Sequence, residues 1–342
     1  MAVTIKDVAK LANVAPSTVS RVIANNPRIS EATKKRVKEA MKELGYHPNF
    51  SARSLANQNT QAIGIVMPSS GNSVFQNPFF PEVIRGISAK AHENKYALYM
   101  TTGTSEQEMY DGVVDMIQGR RVDGIVLLYS RVDDRIMTYL QESNFPFVVI
   151  GKPFRNIEDI THIDNDNFRA AQDATEHLIQ QQHDRIGFVG GDRGLVVTVD
   201  RLLGYEKAIQ KAGLTYRDDY VVHEEFLEEG GQEAINELMS LEEPPTGLVV
   251  TDDLMALGIL KTLSEMDIKV PDDISVISFN NVMLSEISTP SLTSVCINIF
   301  WLGYEAADSL IEKIKVPETK PKRVTVPYRL VERNSCQTRQ TN

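Results

Sequence analysis

The sequence predicts an α/β protein in which a small, all-α helix-turn-helix headpiece precedes two doubly wound α/β lobes. In the first 46 residues, apolar side chains recur at helical spacing. From residue 62 onward, short apolar runs alternate with helical stretches, which is typical of parallel sheets covered on both faces. The charge divides at the same boundary: residues 1–61 carry ten basic and four acidic side chains, and the remainder carries 26 and 42. The overall charge of −10 therefore combines a basic head of +6 with an acidic body of −16.

The first element is a helical hairpin over residues 4–24. Apolar residues at helical spacing lie on either side of Asn13, and asparagine tolerates the left-handed turn expected there. This pattern is typical of a helix-turn-helix, whose second helix enters the DNA major groove. An ordinary αα-hairpin with a solvated face is the alternative. The outward face of the second helix suits base edges and phosphates and comprises Pro16, Ser17, Thr18, Ser20 and Arg21.

A third helix and a linker complete the amino-terminal region. Ser30 is expected to cap a helix that carries apolar residues at i, i+3, i+4 and i+7 and ends at Gly45. Pro48 and the polar run 57–61 indicate a linker, and Asn49 can cap one or two turns of helix between them. So short a helix is marginal in water on its own. The basic charge of this region favours contact with phosphates.

The body contains the apolar runs expected of buried strands, at residues 62–67, 97–100, 124–129, 147–150, 186–189, 247–250 and 274–279. They are too many for one small sheet, and residues 151–164 look like a crossover, so two lobes are expected. In such folds, ligands bind beyond the carboxyl ends of the strands, here in a cleft between the lobes.

Composition excludes several classes of protein. No apolar run is long enough to span a membrane, and the first residues lack the apolar segment of a signal peptide. Cys296 and Cys336 are far apart and show neither metal-ligand nor disulfide spacing. We therefore expect a cytoplasmic protein, associated with the nucleoid when it is bound to DNA, with no metal, cofactor or membrane contact.

Taken together, these features resemble the LacI/GalR family of bacterial transcription repressors. The resemblance implies lobes of the periplasmic-binding-protein type. It also implies a headpiece at 1–46, a hinge helix and linker at 47–61, and an effector-binding and dimerisation domain at 62–342. The lobes would comprise about 62–161 plus 292–322, and 162–291 plus 323–342. The matching segments follow the family's order: 4–9, 17–22, 45–49, 62–65, 121–125, 251–258, 270–276, 290–294 and 330–333.

The resemblance assigns the DNA contacts residue by residue. Pro16, Ser17 and Arg21 would face base edges, and Leu55 would be wedged into the minor groove at the centre of a palindromic operator. Ala15 stands where the family usually has a capping serine, but proline at the first helical position favours a helix start. Ala24 also departs from the family pattern. Residues near phosphates would be Thr4, Thr18, Ser20, Asn25 and Ser30, and the hinge helix would contain Asn49, Arg53, Leu55 and Ala56.

The resemblance also assigns an effector site in the cleft. Arg201, at the expected start of a helix, can hold two hydroxyls or a carboxylate, although a surface ion pair is the alternative. Asp252 and Asn280 follow strand ends and can bind sugar hydroxyls. The aromatic residues can stack on sugar rings or belong only to the core. The complete set is Phe79, Tyr129, Arg201, Phe226, Asp252 and Asn280.

The segments 278–281 and 77–85 look most like the maltose-operon repressors of Gram-positive bacteria, so maltose or a related α-glucoside is the expected effector. The sugar would stabilise the closed lobes, disturb the hinge helices of a homodimer and lower operator affinity. A regulator of another sugar, or a catabolite regulator with a phosphocarrier protein as co-repressor, is the alternative within the family.

Other functional classes are a cytoplasmic sugar-binding protein or an enzyme without DNA function. The sequence contains no phosphate-binding loop, dinucleotide fingerprint or nucleophile elbow, and it suggests no catalytic residues. The glycine-rich segment 189–194 and the segment 162–167 are interpreted as turns. One headpiece reads one half-site, so a two-fold operator requires a dimer. The polar tail at 332–342 lacks the heptads that would indicate a tetramer.

Overall fold

The structure, a computed structural model, describes residues 3–23, 25–47, 59–68, 73–101, 103 and 105–339. The chain divides into two compact units, Met1–Thr60 and Gln61–Asn342, which we call the headpiece and the body.

The headpiece packs three helices around a small core: α1 (Ile5–Leu11), α2 (Pro16–Ile23) and α3 (Glu31–Glu43). Val8, Val19 and Val37 are fully buried, one from each helix. The turn between α1 and α2 takes the left-handed conformation at Asn13, with φ 50°. The hydroxyl of Ser30 accepts a hydrogen bond from the Thr33 amide at 3.3 Å and caps α3 as expected. The helix-turn-helix prediction is confirmed.

The body contains twelve described strands, ten described α-helices and two short 3-10 helices, Ile157–Asp159 and Asp218–Tyr220. The strands are β1 (Ala62–Val66), β2 (Ala97–Thr101), β3 (Gly124–Leu127), β4 (Phe147–Ile150), β5 (His162–Asp164), β6 (Ile186–Gly190), β7 (Val221–His223), β8 (Gly247–Val250), β9 (Ser275–Phe279), β10 (Thr293–Cys296), β11 (Arg323–Thr325) and β12 (Arg329–Val331). The helices are α4 (Ser73–Gln76), α5 (Phe79–Glu93), α6 (Glu106–Gln118), α7 (Arg135–Glu142), α8 (Asn167–Gln180), α9 (Val196–Lys211), α10 (Glu228–Met239), α11 (Asp253–Glu265), α12 (Met283–Ile287) and α13 (Ile299–Lys315).

The strands form two six-stranded sheets, each the centre of one lobe. The first sheet has the order β11-β5-β4-β3-β1-β2, and the second has the order β12-β10-β9-β8-β6-β7. Among the described strands, only β12 pairs antiparallel, with β10. The predicted fold class is confirmed, because wholly buried apolar runs such as β1, β3 and β8 need helices on both faces.

Within the described residues of the body, the backbone crosses between the lobes three times, and each crossing lies a few residues later than expected. β5 belongs to the first sheet, β10 to the second and β11 to the first, the opposite of the expected assignment in each case. Residues 162–164, interpreted as part of a turn, therefore form a buried strand. Long-range pairing decides which sheet these short strands join, and polar residues within them conceal the strand pattern.

A buried asparagine ties the three crossings together. Asn165, at the first crossing, donates from Nδ2 to the carbonyl oxygens of Ile297 (3.0 Å) and Val326 (2.8 Å), which lie at the second and third crossings. Asn165 is 2% exposed, so these bonds are shielded from water. Buried amides of this kind are expensive to leave unpaired, so this arrangement holds the three connections in fixed relation.

Within the described part of the chain, no helix combines the length and apolar character needed to cross a bilayer. Cys296 and Cys336 are free thiols.

Candidate DNA-binding face and effector cavity

The second helix of the headpiece has one buried and one exposed side. Val19 and Val22 face the core, whereas Ser17, Ser20 and Arg21 are exposed. This division follows from helical periodicity, because residues three and four apart share a face. Pro16 is exposed as well, and Thr18 is half-buried. The predicted contact residues of α2 therefore lie largely on its solvent side.

The start of α2 does not depend on a capping side chain. Pro16 is the first helical residue, and the carbonyl oxygen of Ala15 accepts from the amides of Thr18 (2.8 Å) and Val19 (3.2 Å). Proline suits this position because its fixed φ matches the helix and its missing N–H needs no partner there. The structure thus shows how Ala15 is tolerated in place of a capping serine.

The remaining headpiece residues assigned to phosphates are exposed. Thr4 is occupied locally, since its hydroxyl donates to Asp7 Oδ2 at 2.7 Å and thereby lowers the pKa of that carboxyl. Asn25 has a left-handed backbone, with φ 50°. Ser30 is exposed but already caps α3. The other predicted DNA-contact residues lie outside the described part of the chain: Asn49, Arg53, Leu55 and Ala56. Ala24, noted as a departure from the family pattern, lies outside it as well.

The body contains a cavity of about 330 Å³ between its two lobes. This volume lies at the lower end of the range typical of small-molecule sites, ~300–1,000 Å³. The cavity lies where the carboxyl ends of β3, β6, β8 and β9 meet. All six residues predicted from the sequence to contact an effector line it: Phe79, Tyr129, Arg201, Phe226, Asp252 and Asn280.

Arg201 is a buried cation without a carboxylate partner in the described part of the chain. It lies inside α9, which begins at Val196 and not, as expected, beside Arg201. Its Nε donates to Asn167 Oδ1 at 3.0 Å and its Nη1 to the Thr251 carbonyl at 2.7 Å. The guanidinium also stacks on the Phe279 ring, 4.3 Å from the centroid. These contacts fix the group, and its Nη2 makes no hydrogen bond to a described residue, so it can donate to a ligand.

Burial changes the charge of this region. It lowers the pKa of Arg201 to about 10 and raises that of Asp252 to about 6 and that of Asp164 to about 7. Desolvation is the largest cause in all three, because a charged group loses water that the protein only partly replaces. The cavity wall therefore combines the buried Arg201 cation with two carboxyls, Asp164 and Asp252, that ionise reluctantly. Arg131, Asp192 and Glu225 also line the cavity, so side chains of both charge signs surround it.

Asp252 is the centre of a hydrogen-bonded cluster. Its Oδ2 accepts from Asn280 Nδ2 at 2.8 Å and from Asn77 Nδ2 at 2.9 Å, and its Oδ1 accepts from the Leu254 amide at 2.7 Å at the start of α11. Asn280, which binds Asp252, has the unusual backbone φ of 101°. Asn77, which was not predicted to belong to the site, comes from the first lobe.

The aromatic residues lie against the cavity from both lobes. Phe79 and Phe80 meet edge to face with centroids 5.2 Å apart. The Phe226 ring packs on bare backbone, because a Cβ at Gly191 would lie 2.1 Å from a ring carbon. Tyr129 is half-buried, and burial raises the pKa of its hydroxyl. These faces can cover the apolar sides of a sugar ring.

Two ion pairs join the lobes beside the cavity. Arg131 Nη2 lies 2.8 Å from Asp192 Oδ2, and Lys152 Nζ lies 2.8 Å from Asp200 Oδ2. None of the four was predicted, since each pair joins residues about 50 to 60 positions apart in sequence, and only the fold brings them together. The more exposed pair, Arg131–Asp192, contributes little on its own, because exposed ion pairs are worth about 0–1 kcal/mol.

Comparison with known proteins identifies both units. Residues 4–49 match the family described as bacterial regulatory proteins, lacI family, and residues 175–336 match the periplasmic binding protein-like domain. The HTH-type transcriptional regulator MalR of Streptococcus pneumoniae serotype 4 is 44% identical over 283 residues, covering 82% of this chain and 84% of MalR. MalR of Staphylococcus xylosus is 36% identical over 337 residues, or 98% of each chain.

Among solved structures, the transcriptional regulator CelR in its cellobiose complex superposes with a TM-score of 0.77 at 31% identity. The match covers 98% of this chain and 100% of CelR.

Proposed function

Because the chain belongs to the LacI family of bacterial transcription regulators, we propose that it controls a sugar-utilisation operon through a small sugar bound between its lobes. The protein is a DNA-binding transcription repressor and not an enzyme. The cavity between the lobes supports the proposed sugar site, since all six residues assigned to an effector from sequence line it.

The chemistry of the cavity favours a neutral, hydroxyl-rich ligand. Arg201 offers a fixed donor, neighbouring amides hold the carboxyls of Asp164 and Asp252, and the aromatic faces suit the apolar sides of a sugar ring. We infer that the effector is maltose or a related α-glucoside. The solved structure of a probable maltose operon transcriptional repressor, 30% identical over 82% of this chain with a TM-score of 0.74, supports this sugar. The cellobiose bound by CelR supports a disaccharide.

The proposed mechanism is a shift between two populations of the body. The sugar stabilises closed lobes, the hinge helices of a homodimer lose their common geometry, and affinity for the palindromic operator falls. In this proposal, residues 1–46 read DNA, 47–61 form the hinge and 62–342 bind the effector and the second subunit. The proposed location is the cytoplasm, on the nucleoid when DNA is bound. A phosphocarrier co-repressor stays a prediction.

Calorimetry against a panel of sugars, combined with operator binding, tests the proposal. A palindromic operator is first selected from random duplexes, and binding is followed by fluorescence anisotropy. We expect heat with maltose or maltotriose and a weaker operator complex in their presence. Binding of another sugar alone would overturn the maltose assignment. A lack of heat with every sugar would overturn the sugar site.

The DNA-binding face is tested by Arg21→Ala, with Lys42→Ala as the control from the same headpiece. We expect Arg21→Ala to weaken operator binding by about 10-fold to 100-fold, because a base contact by arginine contributes ~1–3 kcal/mol. Lys42→Ala should change affinity much less. Equal losses in the two variants would show that Arg21 acts only through charge.

A further inference from the structure

Asn77 joins the first lobe to the effector cavity on the second. It lies between α4 and α5 and is 5% exposed. Its Oδ1 accepts from the Phe79 amide at 2.9 Å at the start of α5. Its Nδ2 donates across the cleft to Asp252 Oδ2 at 2.9 Å and to the Phe226 carbonyl at 3.3 Å. The whole amide is therefore engaged, with its oxygen bound in one lobe and its nitrogen in the other.

The Asp252 oxygen that Asn77 contacts has no capacity left for a ligand. A carboxylate oxygen accepts about two hydrogen bonds, and Oδ2 already accepts from Asn77 and Asn280. Oδ1 is engaged in capping α11. A sugar hydroxyl can therefore bind Oδ2 only by replacing one amide. Asn280 comes from the same lobe as Asp252, so the bond that a movement of the lobes can exchange is the one from Asn77.

We propose that Asn77 and the effector compete for Asp252, so that Asn77 is the latch through which the sugar is sensed. This inference rests on the proposed sugar site. A hydroxyl inserted between the two groups replaces one hydrogen bond by two, which separates Asn77 Nδ2 from Asp252 Oδ2 by roughly a further 1.5–2 Å. The lobes stay joined through the sugar, while the segment that carries Asn77 is displaced.

The displacement reaches α5 because Asn77 also holds the start of that helix. Helix α5 packs closely on α13: a Cβ at Gly86 would lie 2.0 Å from the Phe300 carbonyl oxygen, and one at Gly303 would lie 2.0 Å from that of Val83. Backbones in such contact cannot slide independently, so α5 and α13 move together. The latch thus connects occupancy of the cavity with the position of two outer helices of the first lobe.

The test uses the full-length protein and compares Asn77→Ala and Asn77→Ser with wild type. We expect each variant to bind maltose about 10-fold more tightly, since the competitor is gone, and to bind the sugar-free operator more weakly by a few fold. Serine can still accept from the Phe79 amide but is too short to reach Asp252. Equal effects of the two substitutions would therefore show that Asn77 acts through its hydrogen bond to Asp252 and not through its bond from the Phe79 amide.

Asn94→Ala is the matched control, because Asn94 ends the same helix and binds Lys315 of α13 without crossing the cleft. It should leave both affinities unchanged. Weaker maltose binding with unchanged operator binding in the Asn77 variants would make Asn77 a sugar contact and overturn the latch. Loss of both affinities, with a lower midpoint of urea unfolding, would make it purely structural. If wild type binds no sugar, the proposed sugar site is wrong. Independently of that result, unchanged operator affinity of Asn77→Ala would overturn the latch.

Discussion

The two lobes contribute different chemistry to the cavity between them. The second lobe supplies most of its polar groups, including Arg201, Asp252 and Asn280, which are bound to one another or to neighbouring backbone. The first lobe supplies mainly apolar and aromatic surface, including Phe79 and Ile150. These three side chains thus have orienting contacts within the second lobe, and Asn77 of the first lobe adds one at Asp252. We expect a sugar to be oriented by the second lobe and covered by the first.

The largest effect should come from the second lobe. Arg201→Met removes the fixed donor while keeping a long apolar chain, and it should weaken sugar binding about 100-fold, because hydrogen bonds to charged groups contribute ~1.5–3 kcal/mol. Calorimetry measures the change, and urea unfolding checks that the variant remains folded. The substitution removes the desolvation cost of a buried cation but leaves Asn167 Oδ1 and the Thr251 carbonyl without this donor, so the urea midpoint shows whether the fold is retained. Wild-type affinity would remove Arg201 from the site.

A smaller effect should come from the first lobe. Phe79→Ala removes part of the apolar cover and should weaken sugar binding by about 10-fold, consistent with ~1.5 kcal/mol for a partly buried aromatic side chain. Phe75→Ala is the matched control, since Phe75 is nearby in sequence, exposed and outside the cavity lining. Equal losses of sugar affinity in Phe79→Ala and Phe75→Ala would show that the proposed division between the lobes is wrong. A larger loss in Phe79→Ala than in Arg201→Met would show the same.

The smallest effect concerns stability and pH. Burial raises the pKa of Asp164 to about 7 in the folded protein, above the ordinary value of 3.8. The folded state therefore holds this proton more tightly, and the contribution of Asp164 to stability falls as pH rises from about 4 to 7. Burial lowers the pKa values of His162 and His183, so their contributions to stability rise with pH, opposite to that of Asp164. The pH dependence of unfolding is therefore compared between wild type and an Asp164 variant.

The Asp164→Asn side chain cannot ionise, but it keeps an oxygen that can accept the hydrogen bond from Asn167 Nδ2. We expect its urea midpoint to fall less than that of wild type between pH 5 and pH 7.5. Parallel pH profiles for the two proteins would show that Asp164 is not titrating in this window.

An element could be predicted where a local run of residues sets its structure, and could not where pairing with distant residues sets it. β1, β3 and β8 were predictable because each is a continuous apolar run that only a covered parallel strand explains. β5 and β11 were not, since His162–Asp164 and Arg323–Thr325 contain charged residues and gain their strand geometry by pairing with each other. The cavity residues were found through the family resemblance, whereas Asn77 and Asn165 were missed because their partners are distant in sequence.

The sequence alone determined the helical headpiece, the two-lobed α/β body and the division between a basic head and an acidic body. These follow from local periodicity and composition, which do not depend on long-range contacts. Only the tertiary structure decided which sheet each short strand joins, that the Arg201 guanidinium has no carboxylate partner among the described residues, and that Asn77 occupies the Asp252 oxygen. The physical reason is that these properties depend on pairing and burial between segments far apart in the chain.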